Sequence, residues 1–121
     1  MVSTGKEINT KVDLSGLILD NPVIPASGTF GYGREHAEFY DLNVLGSIAI
    51  KGTTMEPRYG NPQVRIAECS AGMLNAVGLQ NPGAKKVAEE ELKNLAKIYA
   101  KPVIANISGF SITEYEECAG T

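Results

Sequence analysis

Three side-chain amides, Asn75, Gln80 and Asn81, fall in a run from Cys69 to Ala84 that holds no charged residue. Amides donate and accept hydrogen bonds in a state that does not change with pH, which suits reading the edge of a flat polar ring in a dry pocket. The neighbouring glycines permit sharp turns or close backbone approach, and Pro82 ends whatever precedes it. The same composition also describes an ordinary Gly/Asn/Pro loop. Lys51 has a second kind of chemical reach: it closes the apolar run Ile48-Ala49-Ile50 and precedes Gly52-Thr53-Thr54. A cation at a strand end holds a carboxylate, a phosphate or a delocalised anion, or else lies along the surface with its head in water. Ser27 and Asn106, also at strand ends, either hydrogen-bond a ligand or satisfy local backbone.

The other reactive types carry weaker signals. His36, the single histidine, sits on a short charged segment and reads as a solvated surface residue. Cys69 and Cys118 match no metal or redox spacing and read as unpaired thiols that pack inertly. Glu114, Glu116 and Glu117 read as a helix cap and a solvated face.

Composition bounds the class. A chain of 121 residues, 43% hydrophobic and 21% charged, has the make-up of one globular domain. A net charge of −3, with no basic cluster, argues against a nucleic-acid partner. The polar stretch from Met1 to Lys11 lacks the apolar centre of a signal peptide, and no run approaches the roughly 18 apolar residues of a membrane span. The expected location is the cytoplasm.

These residues need elements to position them. Val12 to Leu19 alternates around Ser15-Gly16 and predicts a hairpin. Val23 to Gly28 predicts a short strand entering the glycine-rich turn Gly28 to Gly33, whose spacing is not a dinucleotide fingerprint. Arg34 to Leu42 predicts a two-turn helix, and Ser47 to Lys51 a strand buried on both faces. After an irregular loop over Glu56 to Pro62, Val64 to Ala67 predicts a strand or hairpin arm leading into the amide stretch. Ala84 to Tyr99 predicts a helix with Ala88, Leu92, Leu95, Ala96 and Tyr99 on one face and a Glu89–Lys93 pair. Val103 to Ile107 predicts a third strand, and the Ser111 to Glu114 capping box opens a last helix. Strands alternating with helices indicate β/α units on a parallel sheet, where function gathers at the carboxyl ends of the strands. Those ends carry Ser27, Lys51 and Asn106.

Taken together, the blocks Asn21-Pro22-Val23-Ile24-Pro25-Ala26-Ser27-Gly28-Thr29-Phe30-Gly31-Tyr32-Gly33, Lys51-Gly52-Thr53-Thr54, Pro57-Arg58-Tyr59-Gly60-Asn61-Pro62, the amide stretch through Gly83, and Val103-Ile104-Ala105-Asn106-Ile107-Ser108-Gly109 resemble the N-terminal part of class 1B dihydroorotate dehydrogenases. They occur in family order over nearly the whole chain. The membrane-associated class would have an extra N-terminal segment. The resemblance implies an α/β fold, the N-terminal part of a (β/α)8 TIM barrel with a leading β-hairpin, with residues 1–121 as an incomplete portion of that FMN-binding domain. It implies that Ser27, Lys51, Gly52 and Asn106 contact FMN, and that Lys51, Asn75, Ala76, Val77, Gly78 and Leu79 meet dihydroorotate or orotate. It further implies an electron-transfer subunit carrying FAD and an iron–sulfur cluster that reduces NAD, with catalytic subunits paired as a homodimer inside a heterotetramer.

The chain departs from that pattern by its length, since such a barrel takes about 250 residues and eight strands where three candidate barrel strands are legible. The family's catalytic base, a cysteine after the next strand, has no counterpart in Cys69 or Cys118, so no catalytic residue is assigned and the chain alone is expected to be inactive. Two other readings stay open: a related FMN barrel acting on another pyrimidine, and a non-catalytic piece that pairs with a complementing chain.

Overall fold

The β1 strand (Val12–Leu14) and β2 (Leu17–Leu19) form the expected antiparallel hairpin, Val12 opposite Leu19, in a computed structural model that describes residues 8–121. The turn residues Ser15 and Gly16 both have positive φ, 51° and 99°, the geometry that matches the twist of a tight hairpin, and Asp13 accepts from the Gly16 N–H. Leu19 is buried, and Asp20 pairs with Lys101 at 3.1 Å, tying the hairpin to the segment before the last strand.

The strand expected over Val23 to Gly28 does not form. Pro22 and Pro25 bring no N–H to a ladder. The segment instead lies along residues 44–46 through Asn21 Nδ2 donating to the Val44 carbonyl and Gly46 N–H donating to Val23. Gly46 is required there, because a Cβ would fall 1.8 Å from the Asn21 carbonyl oxygen. Ser27–Phe30 then makes a single helical turn, α1. The helix expected over Arg34 to Leu42 is also replaced: His36–Glu38 and Leu42–Val44 are separate 3-10 turns, the second opened by Asp41 accepting from the Asn43 N–H.

Two parallel strands form the centre, β3 (Ile48–Ala49) and β6 (Val103–Ile104), with Ile48 opposite Val103. Their alignment continues past both elements: Ile50 N–H donates to Ile104, Thr53 N–H to Asn106, and Ser108 N–H to Thr53. Of three expected barrel strands, two therefore pair. The connection between them carries a second hairpin, β4 (Ile66–Cys69) with β5 (Gly72–Asn75), Ile66 opposite Asn75. The first third of the amide stretch is thus a strand rather than a loop.

The long helix is continuous but not uniform. It starts as α2 (Ala84–Lys86), widens into a π-helical turn over Val87–Glu91, and ends as α3 (Leu92–Leu95), short of the expected Tyr99. The wide turn rotates the buried face, so Val87, Leu95 and Tyr99 are buried while Ala88 and Leu92 are half-buried and Ala96 is exposed. Lys86–Glu90 replaces the expected Glu89–Lys93 pair, at 3.8 Å and in water. The last helix, α4 (Ile112–Gly120), keeps its cap: Ser111 Oγ accepts from Glu114 N–H, and the Glu114 carboxylate accepts from Phe110 N–H.

The core joins Phe30, Leu42, Leu45, Ile48, Ile50, Val87, Leu95 and Tyr99. It packs one side of β3 against the long helix and the turns that follow α1, which leaves the strand ends free to carry polar groups.

Candidate functional site

The carboxyl ends of β3 and β6 bring distant residues together. Asn106 lies two residues beyond β6 and donates through Nδ2 to Ser27 Oγ at 2.8 Å, across 79 residues of chain. Ser27 opens α1, so the amide and hydroxyl form a polar pair at the joint between the glycine-rich turn and the strand end. Gly52 is buried beside them: a Cβ there would meet Leu79 Cδ1 at 3.1 Å, Ser108 Oγ at 3.5 Å and Asn106 Nδ2 at 3.7 Å. Bare backbone is thus presented between an apolar side chain, a hydroxyl and an amide.

Lys51 precedes this glycine and is half-buried. Its N–H donates to the Gly31 carbonyl at 2.9 Å, and its carbonyl accepts from Thr53 Oγ1 at 2.9 Å. Among the described residues the ion pairs are Lys86–Glu90 and Lys101–Asp20, which leaves the Lys51 ammonium without a carboxylate partner. A cation without a carboxylate partner among the described residues, beside uncharged donors, suits a delocalised anion better than a metal. No group of three metal-ligating side chains occurs among the described residues.

The stretch from Asn75 to Leu79 is held from behind. Ala76 N–H donates to the Arg65 carbonyl, Asn61 Nδ2 to the Ala76 carbonyl, and Asn61 N–H to Val77. Gly60 and Gly78 lie back to back, with φ of 78° and 79°; a Cβ on Gly60 would fall 2.4 Å from the Val77 oxygen, and one on Gly78 would fall 2.7 Å from Asn61 Cγ. Arg65 closes the arrangement, its guanidinium donating to the carbonyls of Asn61 and Tyr59 and to Gln80 Oε1. Leu79 takes a left-handed φ of 54°, uncommon for a non-glycine residue, and its side chain reaches Gly52. Leu79 is therefore the link between the amide stretch and the strand ends.

The three amides divide. Asn81 is 5% exposed and fully engaged: Oδ1 accepts from the N–H groups of Thr54 and Gly83, while Nδ2 donates to Thr54 Oγ1 and the Leu79 carbonyl. Gln80 holds Arg65. Asn75 remains, exposed on β5 on the same face as Ile66 and Met73. The structure brings Ser27, Gly52, Leu79 and Asn106 together with Lys51 adjoining, and leaves Asn75 and Ala76 out on the hairpin.

Other expectations are corrected. His36 is half-buried rather than fully solvated: its ring stacks on Phe30, centroids 4.2 Å apart, with Nδ1 buried and without a partner among the described residues. Both cysteines are free, but only Cys118 packs inertly, its thiol directed at the Thr53 carbonyl and pushed up in pKa by burial. Cys69 is exposed at the β4–β5 tip. Sequence reasoning missed Thr53, Ser108, Asn61 and Arg65, whose roles are contacts between segments far apart in the chain. The signal nearest to hand was the pair Thr53-Thr54 directly after Lys51-Gly52.

A cavity of about 170 Å³ lies behind the strand ends, lined by Ile50, Thr53, Val87, Asn106, Ile107 and Cys118 among others. It is smaller than the roughly 300–1,000 Å³ of small-molecule pockets, too small to take a cofactor-sized ligand. No helix among the described residues is long and apolar enough to cross a membrane.

Comparison with known proteins matches the chain to a family. A curated relative from Geobacillus kaustophilus, named dihydroorotate dehydrogenase B (NAD(+)), catalytic subunit, is 61% identical over 108 residues, 89% of this chain and 34% of the relative. The protein of the same name from Streptococcus pneumoniae is 60% identical over 106 residues, 87% of this chain and 34% of that one. The chain thus spans about a third of the length of the curated relatives it matches. A solved dihydroorotate dehydrogenase from Eimeria tenella, in complex with ferulenol, superposes with a TM-score of 0.63 at 21% identity, covering 87% of this chain and 30% of the other. The dihydroorotate dehydrogenase family model matches residues 9–121. With the model spanning nearly every described residue, the chain belongs to the dihydroorotate dehydrogenase family.

Proposed function

We propose that the protein carrying this chain is the catalytic subunit of an FMN-dependent dihydroorotate dehydrogenase of the NAD-linked class, oxidising dihydroorotate to orotate in pyrimidine biosynthesis. The observation that carries this reading is the meeting of Ser27, Gly52 and Asn106 at the carboxyl ends of two parallel strands, with Lys51 beside them and without a carboxylate partner among the described residues. In this reading β3, β6 and the long helix are part of a (β/α)8 barrel, and the rim is its catalytic face. Identity near 60% with relatives named as NAD-linked catalytic subunits supports it.

The residues present fit FMN. Gly52 lets Leu79, Ser108 and Asn106 close in together at the strand ends, the Ser27–Asn106 pair offers hydrogen bonds to the polar edge of the ring, and Leu79 supplies an apolar wall. FMN, when bound, supplies the acceptor for the hydride that leaves dihydroorotate. Lys51 would stabilise the negative charge that an accepted hydride brings to the flavin, and attracts the substrate carboxylate. Backbone from Val77 to Leu79, kept rigid by Asn61 and Arg65, orients the pyrimidine, and Asn75 and Ala76 reach its edge from the hairpin. The proton acceptor is neither Cys118, buried with a raised pKa, nor Cys69, at a hairpin tip. A partner subunit holding FAD and an iron–sulfur cluster would carry the electrons to NAD, with two catalytic subunits forming the centre of a heterotetramer in the cytoplasm.

Anaerobic addition of dihydroorotate to the full-length protein tests the reading. Its flavin absorbance is expected to bleach, and Lys51→Ala to slow bleaching about 100-fold, the cost of removing one preorganised charge partner. No bleaching of the wild type would overturn it. The other pyrimidine reading separates in the same cuvette, because orotate should perturb the oxidised flavin spectrum far more than uracil, which lacks the carboxylate for Lys51.

A further inference from the structure

We propose that Thr53 is a positioning residue for Lys51: its hydroxyl, by donating to the Lys51 carbonyl, sets the strand-end backbone from which the lysine ammonium reaches flavin and substrate. The inference rests on the role given to Lys51 above.

Thr53 is 4% exposed and lies where three segments meet. Its N–H donates to Asn106 and its carbonyl accepts from Ser108 N–H, each at 2.8 Å, which locks it to the β6 end. Its Oγ1 turns back to the Lys51 carbonyl at 2.9 Å. The Cys118 thiol of α4 faces its carbonyl at 3.6 Å. Lys51 is held on its other side by Gly31, next to the turn that carries Ser27. Both peptide groups of Lys51 are thereby fixed, one to the glycine-rich turn and one, through Thr53, to the strand end that carries Asn106.

The neighbouring Thr54 does not share this task, since its hydroxyl donates to the Glu56 carbonyl and meets Asn81. The hydroxyl of Thr53 is therefore the only part of that residue whose removal bears on Lys51. Valine has nearly the same shape and keeps the two backbone bonds, so it removes the Lys51 contact together with the hydroxyl's approach to Tyr32, and the Lys51→Ala background separates the two. A half-buried carbonyl then loses a partner, and the segment carrying Lys51 gains freedom.

The experiment uses the full-length protein as wild type, Thr53→Val, Thr53→Ser, Lys51→Ala and the Lys51→Ala/Thr53→Val double variant. Each is stripped of flavin, titrated with FMN by fluorescence, and its flavin midpoint potential is measured. Thr53→Val should weaken FMN binding about three- to tenfold, the effect of one neutral hydrogen bond, and move the potential to more negative values. Thr53→Ser should match the wild type, and Thr53→Val should add nothing in the Lys51→Ala background. An equal effect of Thr53→Val in both backgrounds, or equal effects of valine and serine, would mean packing alone and overturn the proposal. So would an unchanged Thr53→Val beside an altered Lys51→Ala. If Lys51→Ala itself moves neither quantity, the role of Lys51 fails first and this inference with it. Should Thr53→Val melt before assay, Thr53→Ala set against Thr53→Ser carries the same contrast.

Discussion

Asn81 accepts from two backbone N–H groups and donates to a hydroxyl and a carbonyl, all within buried surroundings. Replacing it with leucine strands four partners at once. We expect Asn81→Leu to lower unfolding free energy by about 3 kcal/mol in denaturant titration. Asn81→Asp should not rescue it, because a carboxylate oxygen would then face the Leu79 carbonyl. Tyr99 is the opposite case: its hydroxyl is buried without a partner among the described residues. Tyr99→Phe should be neutral or raise stability by up to about 1 kcal/mol. Burial raises the pKa of Tyr99, Tyr32 and Cys118. Each is protonated in both states below its unfolded pKa, so none makes stability depend on pH there. Above about pH 9 to 10 the unfolded chain ionises first, and stability falls as pH climbs toward the folded pKa. Denaturant midpoints measured from pH 8 to 11 should decline, and Tyr99→Phe should flatten part of that decline.

At the scale of elements, the two loops that interlock behind Asn75 to Leu79 depend on glycine at both contact points. Gly78→Ala combines a disfavoured positive φ with a Cβ 2.7 Å from Asn61. It should weaken orotate binding at least severalfold in a flavin-difference titration while leaving FMN affinity near wild type. Equal loss of both would mean that the whole rim had shifted. The hairpin tip predicts a simple thiol pattern: a maleimide should label Cys69 within minutes in the native protein, and Cys118 only on unfolding. Sequence pattern read the first hairpin and the α4 cap well, because Ser15-Gly16 and Ser111 to Glu114 act over three or four residues. It failed at Val23 to Gly28, where apolar character suggests a strand but Pro25 within it and Pro22 just before it withhold donors. It failed again along the long helix, since a π turn changes the period on which a helical face is counted.

At the scale of the molecule, the parallel pairing of β3 with β6 explains why residues as far apart as Ser27 and Asn106 share a hydrogen bond. The alternation of strands and helices made that geometry legible, along with Lys51 and Asn106 just past strand ends, whereas Ser27 opens a helical turn where a strand end was expected. The division of labour among the amides was not legible, because whether Asn75, Gln80 or Asn81 faces a ligand depends on Arg65 and Thr54, which no local pattern connects to them. The central claim is that these strand ends hold a flavin. Fluorescence titration of the flavin-free full-length protein with FMN, beside Lys51→Ala and Asn106→Ala, tests it most directly. Saturable one-to-one quenching, weakened about tenfold or more by each substitution, is the predicted result. Quenching that neither substitution changes, or none in the wild type, would contradict the account.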